Sequence, residues 1–262
     1  MYSSVLCTHL IVVMPMNKIR IVQSAAHRLR FILPWLLDKL LPGSCLLCGG
    51  VSRDALCSSC CTRHIDWHVL RCAVCAIRLP GLSHNALCGA CLAHPPAFDA
   101  TYAATDYEAP IDYLVQHLKF HARLPLAQAF GRILSDMPTP PVMPDLLIAV
   151  PLSLERLAER GFNQSLEIAH TLAVRWKRPV SGTACIRVKH NQAQASLPLH
   201  QRRVNMRNAY AVQNSQLIAN KRIGVVDDVM TTGHTLSELA HCLKRHGAAH
   251  VTNFVVARTP MR

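Results

Sequence analysis

The sequence predicts an α/β fold: a mostly parallel sheet with helices on both faces, preceded by a small cysteine-rich unit. Three observations carry this. From Arg222 the chain reads Ile-Gly-Val-Val-Asp-Asp-Val-Met-Thr-Thr-Gly-His-Thr-Leu, an apolar strand ending in two carboxylates and then a Gly-centred turn. That turn opens an amphipathic helix carried by Leu236, Leu239, Ala240 and Leu243. Leu146 to Val150 and Val251 to Ala257 read as two further apolar strands, and strands alternating with helices make parallel units. Finally, eight of the 12 cysteines stand as four CxxC pairs before the first of these strands.

A chain of 262 residues is long enough for two units, and 50% hydrophobic against 16% charged residues excludes wholesale disorder. We divide it at 1–43, 44–97 and 98–262: an N-terminal extension with a helix, the cysteine-rich unit and the α/β domain. Pro138 to Pro144 reads as a loop inside that last domain rather than a linker. The net charge of +13 favours an anionic partner, such as nucleic acid or a phosphorylated ligand. No stretch reaches the roughly 20 apolar residues that a transmembrane span requires.

Val5 to Met16 resembles a signal h-region, but no Lys or Arg precedes it, His9 interrupts it and no small-residue cleavage site follows. A blander reading starts translation at Met16. Without export the compartment is the reducing cytoplasm, where cysteines stay as thiols or bind metal. Leu29, Ile32, Leu33, Leu36, Leu37 and Leu40 have helical spacing, ended by Pro42-Gly43. Such a stripe is expected to pack on a core or domain face, although Arg28, Arg30 and Lys39 would also suit a membrane surface.

The pairs are Cys45-Cys48, Cys57-Cys60, Cys72-Cys75 and Cys88-Cys91. Two thiolates two residues apart on a tight turn face one ion, and two such turns complete the four-sulfur tetrahedron of structural zinc. We expect two zinc ions. Sequential pairing puts the first two pairs on one ion and the last two on the other; a cross-braced pairing fits the spacing as well. Gly49 and Gly89 supply permissive backbone. Cys61, His64 and His84 read as bystanders, and Cys7, Cys185 and Cys242 as ordinary small residues. A closed four-sulfur site has no open position, so these ions hold the fold.

Thr231, Thr232, Gly233, His234 and Thr235 place backbone N–H groups at a helix N-terminus, a ready anion site. Asp227 and Asp228 lie at the strand's carboxyl end, where an open α/β sheet binds its ligand. Carboxylates accept from a pair of sugar hydroxyls. Phosphate on the turn and diol on the acids describe a ribose 5-phosphate.

Val225 to Thr235, with Val229 and Met230 between the acids and the turn, resembles the phosphoribosyl-diphosphate (PRPP) motif of type I phosphoribosyltransferases. Gly224 departs from it, since an apolar residue is more usual there. From about Pro34 to its end the chain is identified as a member of the ComF/GntX family of competence and DNA-utilisation proteins. This rests on Phe98-Asp99, on Tyr107 to Leu126 with Leu118-Lys119-Phe120, on Val150-Pro151-Leu152 and on Arg160-Gly161-Phe162-Asn163-Gln164. Gln194, Leu197, Arg202, Asn205 and Ala209 continue the pattern, as do the CxxC pairs.

The resemblance implies a type I phosphoribosyltransferase-like domain after a double zinc ribbon. In it Asp227 and Asp228 hold the ribose hydroxyls, Thr231 to Thr235 hold the 5-phosphate, and Mg²⁺ accompanies PRPP. Val150, Pro151 and Leu152 lead into the diphosphate loop, with Arg160 placed for diphosphate charge. Asn163 serves equally as a plain N-cap. Arg187 and Lys189 precede a polar segment, Asn191 to Asn208, that resembles the family's mobile loop. Asp112 stands where the family often has a basic residue, and Asn191 where Thr is expected.

Only Arg258 to Arg262 follow the last strand, so no C-terminal hood covers the site. Ala100 to Arg132 and the zinc segment are left to cover it. No general base stands out among His117, His121, His190 and His234. Two functions follow. One is an accessory of DNA uptake or utilisation that binds PRPP and single-stranded DNA and meets a helicase or recombination partner. The other is a true phosphoribosyltransferase of nucleotide metabolism with an unidentified acceptor. Arg202, Arg203, Arg207, Lys221 and Arg222 surround the expected loop, and aromatic residues are scarce at 5%, so binding to DNA should be mainly electrostatic.

Overall fold

The computed structural model of the chain describes residues 43–66, 68–79, 81, 86–188 and 209–260. The expected N-terminal helix, the signal-like stretch, Cys7, His84, Lys189, His190 and the polar loop to Asn208 lie outside the described residues. Strands β1 (Gly43–Ser44) and β2 (Val51–Ser52) form an antiparallel pair before helices α1 (Ser58–His64) and α2 (Gly89–Ala93). Then come β3 (Ala100–Asp106), α3 (Ile111–His121), α4 (Pro125–Ser135), β4 (Leu146–Ala149), α5 (Leu154–Arg160), α6 (Gln164–Trp176) and β5 (Val180–Ser181). The chain continues through β6 (Cys185–Arg187), β7 (Tyr210–Val212), β8 (Arg222–Met230), α7 (His234–Arg245) and β9 (His250–Arg258).

Five strands make one sheet in the order β3-β9-β8-β4-β5, with every neighbouring pair parallel. Helices lie on both faces, which is why β4 is buried along its whole length. Alternation along β8 sends Val226 to one face and Val225 to the other. Val226 joins Leu118, Phe130 and Leu172 of α3, α4 and α6; Val225 joins Leu236, Leu239 and Leu243 of α7. Phe254 anchors the first core, stacked on Tyr102 at 5.7 Å and edge-on to Trp176 at 4.9 Å. Each such large side chain contributes about 1.5–3 kcal/mol by leaving water.

Two features differ from the expectation. β8 runs on through Val229 and Met230 because these residues pair with Ala257 and Arg258 of β9, so the acidic pair is inside the strand rather than after it. Gly224, the departure from the sugar-phosphate motif, is required by crowding. A Cβ there would stand 2.6 Å from Leu147 Cδ2 and 3.1 Å from Phe254 Cε2.

The cysteine-rich segment shares both cores: Cys45 and Cys60 pack with the first, Cys72 and Cys88 with the second. It is fastened at the carboxyl end of β3. Arg71 and Arg78 hold Asp106 at 2.6 and 2.5 Å, and Thr105 Oγ1 donates to the His64 carbonyl at 3.1 Å. Among the described residues no helix is long and apolar enough to cross a membrane.

Candidate functional site

The four pairs gather sequentially into two tetrads, Cys45/Cys48/Cys57/Cys60 and Cys72/Cys75/Cys88/Cys91, with the sulfurs of each within 4.8 Å of one another. Cys48 and Cys57 Sγ are 3.7 Å apart, Cys75 and Cys88 Sγ 3.6 Å. A tetrahedron with metal–sulfur bonds of about 2.3 Å has edges of about 3.8 Å, close to these separations, so the donor sets suit a zinc-sized ion. Burial works against ionising Cys45, yet N–H groups of Cys48, Cys57 and Leu47 outweigh it and hold the thiol down at about 6. Cys72 is likewise held at about 7, with Cys75, Cys88 and Val74 donating. Burial pushes Cys60 up to about 12 and Cys75 to about 11, because four neighbouring thiols cannot all ionise without a cation.

Gly49 takes the left-handed backbone at φ 72°, as expected for a knuckle. Gly89 does not: it is the first residue of α2, and the left-handed position of the second tetrad is Ala76 at φ 54°. Cys61 and His64 stand outside the tetrads, and Cys185 and Cys242 are buried thiols pushed up by burial.

Near the carboxyl end of β8, Asp227 and Asp228 occupy different surroundings. Asp228 is 3% exposed; its Oδ1 is 3.0 Å from Lys119 Nζ, and its Oδ2 is buried with no hydrogen-bond partner. Asp227 Oδ1 accepts from Ser165 Oγ at 2.8 Å and from the Asp228 backbone at 3.0 Å. Burial, and then the charge of Asp228, push the Asp227 carboxyl up to about 7. The turn follows. Thr231, Thr232, His234 and Thr235 are exposed, and Gly233 at φ 83° swings the chain into α7. A Cβ on Gly233 would meet only the flexible end of Met230, its Cε at 2.6 Å, so it is the left-handed backbone that calls for glycine here.

β4 ends at Ala149, and Val150, Pro151 and Leu152 lead from it to α5. Asn163 caps α6, accepting from Ser165 and Leu166 N–H, while its Nδ2 donates to the Val150 carbonyl at 3.1 Å. Arg160, at the end of α5, donates to Gln164 Oε1 at 2.9 Å and covers the Phe120 ring at 5.4 Å; its Nε is buried without a partner. Arg187 is exposed on β6. The structure thus brings Asp227, Asp228, Arg160 and the turn toward the carboxyl ends of β4 and β8.

Sequence reasoning gave no role to Lys119, Phe120 or Ser165. The only signal was the Leu118-Lys119-Phe120 string, which marks α3 without revealing what it reaches. Arg258 was missed as well. It is 7% exposed, donates from Nε to the Cys75 carbonyl at 2.9 Å, and donates from Nη1 to the carbonyls of Met230, Thr231 and Thr259.

A parallel sheet carrying two acids and a Gly-centred turn at one strand end, joined to two cysteine tetrads, defines a phosphoribosyltransferase-type fold with a cysteine-rich appendage whose donor sets could hold metal. The phosphoribosyl transferase domain model matches residues 163–262. The DNA utilization protein YhgH of Salmonella typhimurium is 33% identical over 232 residues, covering 84% of this chain and 98% of that protein. Competence protein F of Haemophilus influenzae is 29% identical over 225 residues, 82% of this chain and 96% of its own length. A solved glutamine phosphoribosylpyrophosphate amidotransferase from B. subtilis matches 49% of this chain and 25% of its own, at 18% identity and a TM-score of 0.37. The chain belongs to the ComF family of competence and DNA-utilisation proteins.

Proposed function

We propose that the chain binds PRPP, as a Mg²⁺ complex, and serves as an accessory of DNA uptake or utilisation that also engages single-stranded DNA. Asp228 carries the reading. It is a carboxylate with one oxygen on Lys119 and the other buried and unpartnered, one residue from Asp227 and three from an exposed threonine turn. Buried acceptors are normally satisfied, and a ribose diol supplies the missing donors. The N–H groups opening α7 take the 5-phosphate, and Val150, Pro151, Leu152 and Arg160, with Arg187 and Lys189 from the segment beyond β5, take the diphosphate. The tetrads hold two structural zinc ions. The names of the relatives support the DNA role, and the net charge of +13 supports an anionic polymer.

Calorimetric titration of the zinc-loaded chain with PRPP and Mg²⁺ tests this against the Asp227→Asn/Asp228→Asn variant. Heat from the wild type alone is the expected result; no heat from either ends the sugar-phosphate reading. Pyrophosphate release on adding a nucleobase would establish the second reading, transfer of the phosphoribosyl group. That reading is favoured by Asp227, a carboxyl able to carry a proton near neutrality.

A further inference from the structure

Aromatic residues make up 5% of the chain, and among the described residues only two Phe, Tyr or Trp side chains are exposed. Both are on α3: Tyr113 at 52% and Phe120 at 64%. They are seven residues apart, two helical turns, and His117 and His121 lie on the same stripe at i+4 and i+8. The rings touch in sequence: Tyr113 to His117 at 4.1 Å and His117 to His121 at 4.6 Å. Arg160 backs Phe120 at 5.4 Å, and the neighbouring Lys119 reaches Asp228. The stripe therefore begins beside the acidic pair and runs outward for about 12 Å.

We propose that this face of α3 is a stacking platform for the bases of single-stranded nucleic acid, with Phe120 as its anchor; the inference rests on the DNA role given above and assigns it a surface. A core function does not explain the stripe, since α3 buries Ile111, Leu114, Val115 and Leu118 on its opposite side. Charge gives the platform a direction. Glu108 and Asp112 stand at its N-terminal end, whereas Arg123 and Arg160 stand at its C-terminal end, where Lys119 is taken up by Asp228 and the two arginines attract a phosphate backbone. Tyr113 is held against His117 and Phe120 is backed by Arg160, so both rings lose little freedom on stacking, and every base presents a π-face, so the surface is sequence-tolerant.

The test uses the zinc-loaded full chain and a fluorescein-labelled oligothymidylate covering roughly 16 nucleotides, read by anisotropy over a series of salt concentrations. Phe120→Ala weakens binding about 5-fold or more, Tyr113→Ala/Phe120→Ala about 25-fold, and Phe120→Trp stays within about 2-fold of wild type. The slope of log Kd against log salt stays unchanged in these variants, because stacking releases no counterions. In Arg123→Ala the slope falls by about 0.7. Both rings are exposed, so the melting temperature of each variant matches the wild type. Wild-type affinity in the double variant, a loss confined to the salt slope, or no oligothymidylate binding by the wild type overturns the platform. PRPP heat with the wild type separates the two readings. Without it but with ring-dependent oligothymidylate binding, the sugar-phosphate site fails and the platform stands; with it and without ring dependence, the platform alone fails.

Discussion

Lys119→Met isolates the ion pair that joins α3 to the acidic strand end. Lys119 is 20% exposed in its side chain and Asp228 4%, so neither charge is well hydrated. Methionine keeps the apolar stem and leaves no cavity, but strands a buried carboxylate whose second oxygen already lacks a partner. Removing one member of a buried pair costs about 3–5 kcal/mol; the lower end applies, because the Lys119 side of the pair is 20% exposed. Asp228→Asn should cost only about 1 kcal/mol, since the freed ammonium can reach water. The double variant should cost about 1 kcal/mol as well, giving a coupling of about 3 kcal/mol. Urea unfolding of the zinc-loaded chain at neutral pH, followed by far-ultraviolet circular dichroism, reads all three. If Lys119→Met costs no more than Asp228→Asn, or the two effects simply add, the pair does not secure this end of the sheet.

Three further outcomes are expected. Metal analysis of the purified chain should give two zinc ions, one per tetrad, and a chelator should unfold the cysteine-rich segment, since structural zinc contributes about 10–16 kcal/mol of apparent binding energy; one ion or none would refute the paired tetrads. Gly224→Ala should destabilise the fold by about 1–3 kcal/mol through Leu147 and Phe254, read as a lower urea midpoint; an unchanged midpoint would show that the strands part freely. Asp227 has its folded value raised from 3.8 to about 7, so the folded state holds a proton that the unfolded chain has released, and the contribution is lost as pH rises through that window. Asp227→Asn, whose amide oxygen can still accept from Ser165, should therefore gain stability over wild type above pH about 7 and not below 3.8; an equal gain at both would refute the assignment.

The parts that were legible in the sequence are those where local pattern and chemistry coincide. Val225 to Thr235 read correctly as strand, turn and helix, because an apolar run precedes a glycine-marked turn, although the strand runs on past the acids to Met230. The CxxC spacing read correctly as paired knuckles, because that spacing is itself a geometric requirement. Contacts between distant segments were not legible. Lys119 is separated from Asp228 by more than a hundred residues, and nothing local distinguishes it from any lysine near a helix end. Gly224 read as a departure, yet its reason is Leu147 on the neighbouring strand. The scarce aromatic residues argued against a stacking surface when counted, and for one when placed on a helix.

Arg258 ties the second cysteine tetrad to the turn that follows β8. It ends β9 opposite Met230, and its guanidinium joins the Cys75 carbonyl to those of Met230 and Thr231. The carbonyl of a tetrad cysteine and the first residue of the turn thus share one buried cation. On the proposed reading, an ion held by the second tetrad would perform no chemistry, but would fix Cys75 and through Arg258 the shape of the turn. Arg258→Met removes all of these bonds, and losing one charge-assisted bond at the turn is worth about 1.5–3 kcal/mol. PRPP affinity should fall by about tenfold or more while both zinc ions are retained, with Arg258→Lys intermediate because an ammonium cannot span the same carbonyls. Undiminished affinity in Arg258→Met would mean that the N-terminus of α7 shapes the turn by itself, and that the tetrads serve another surface.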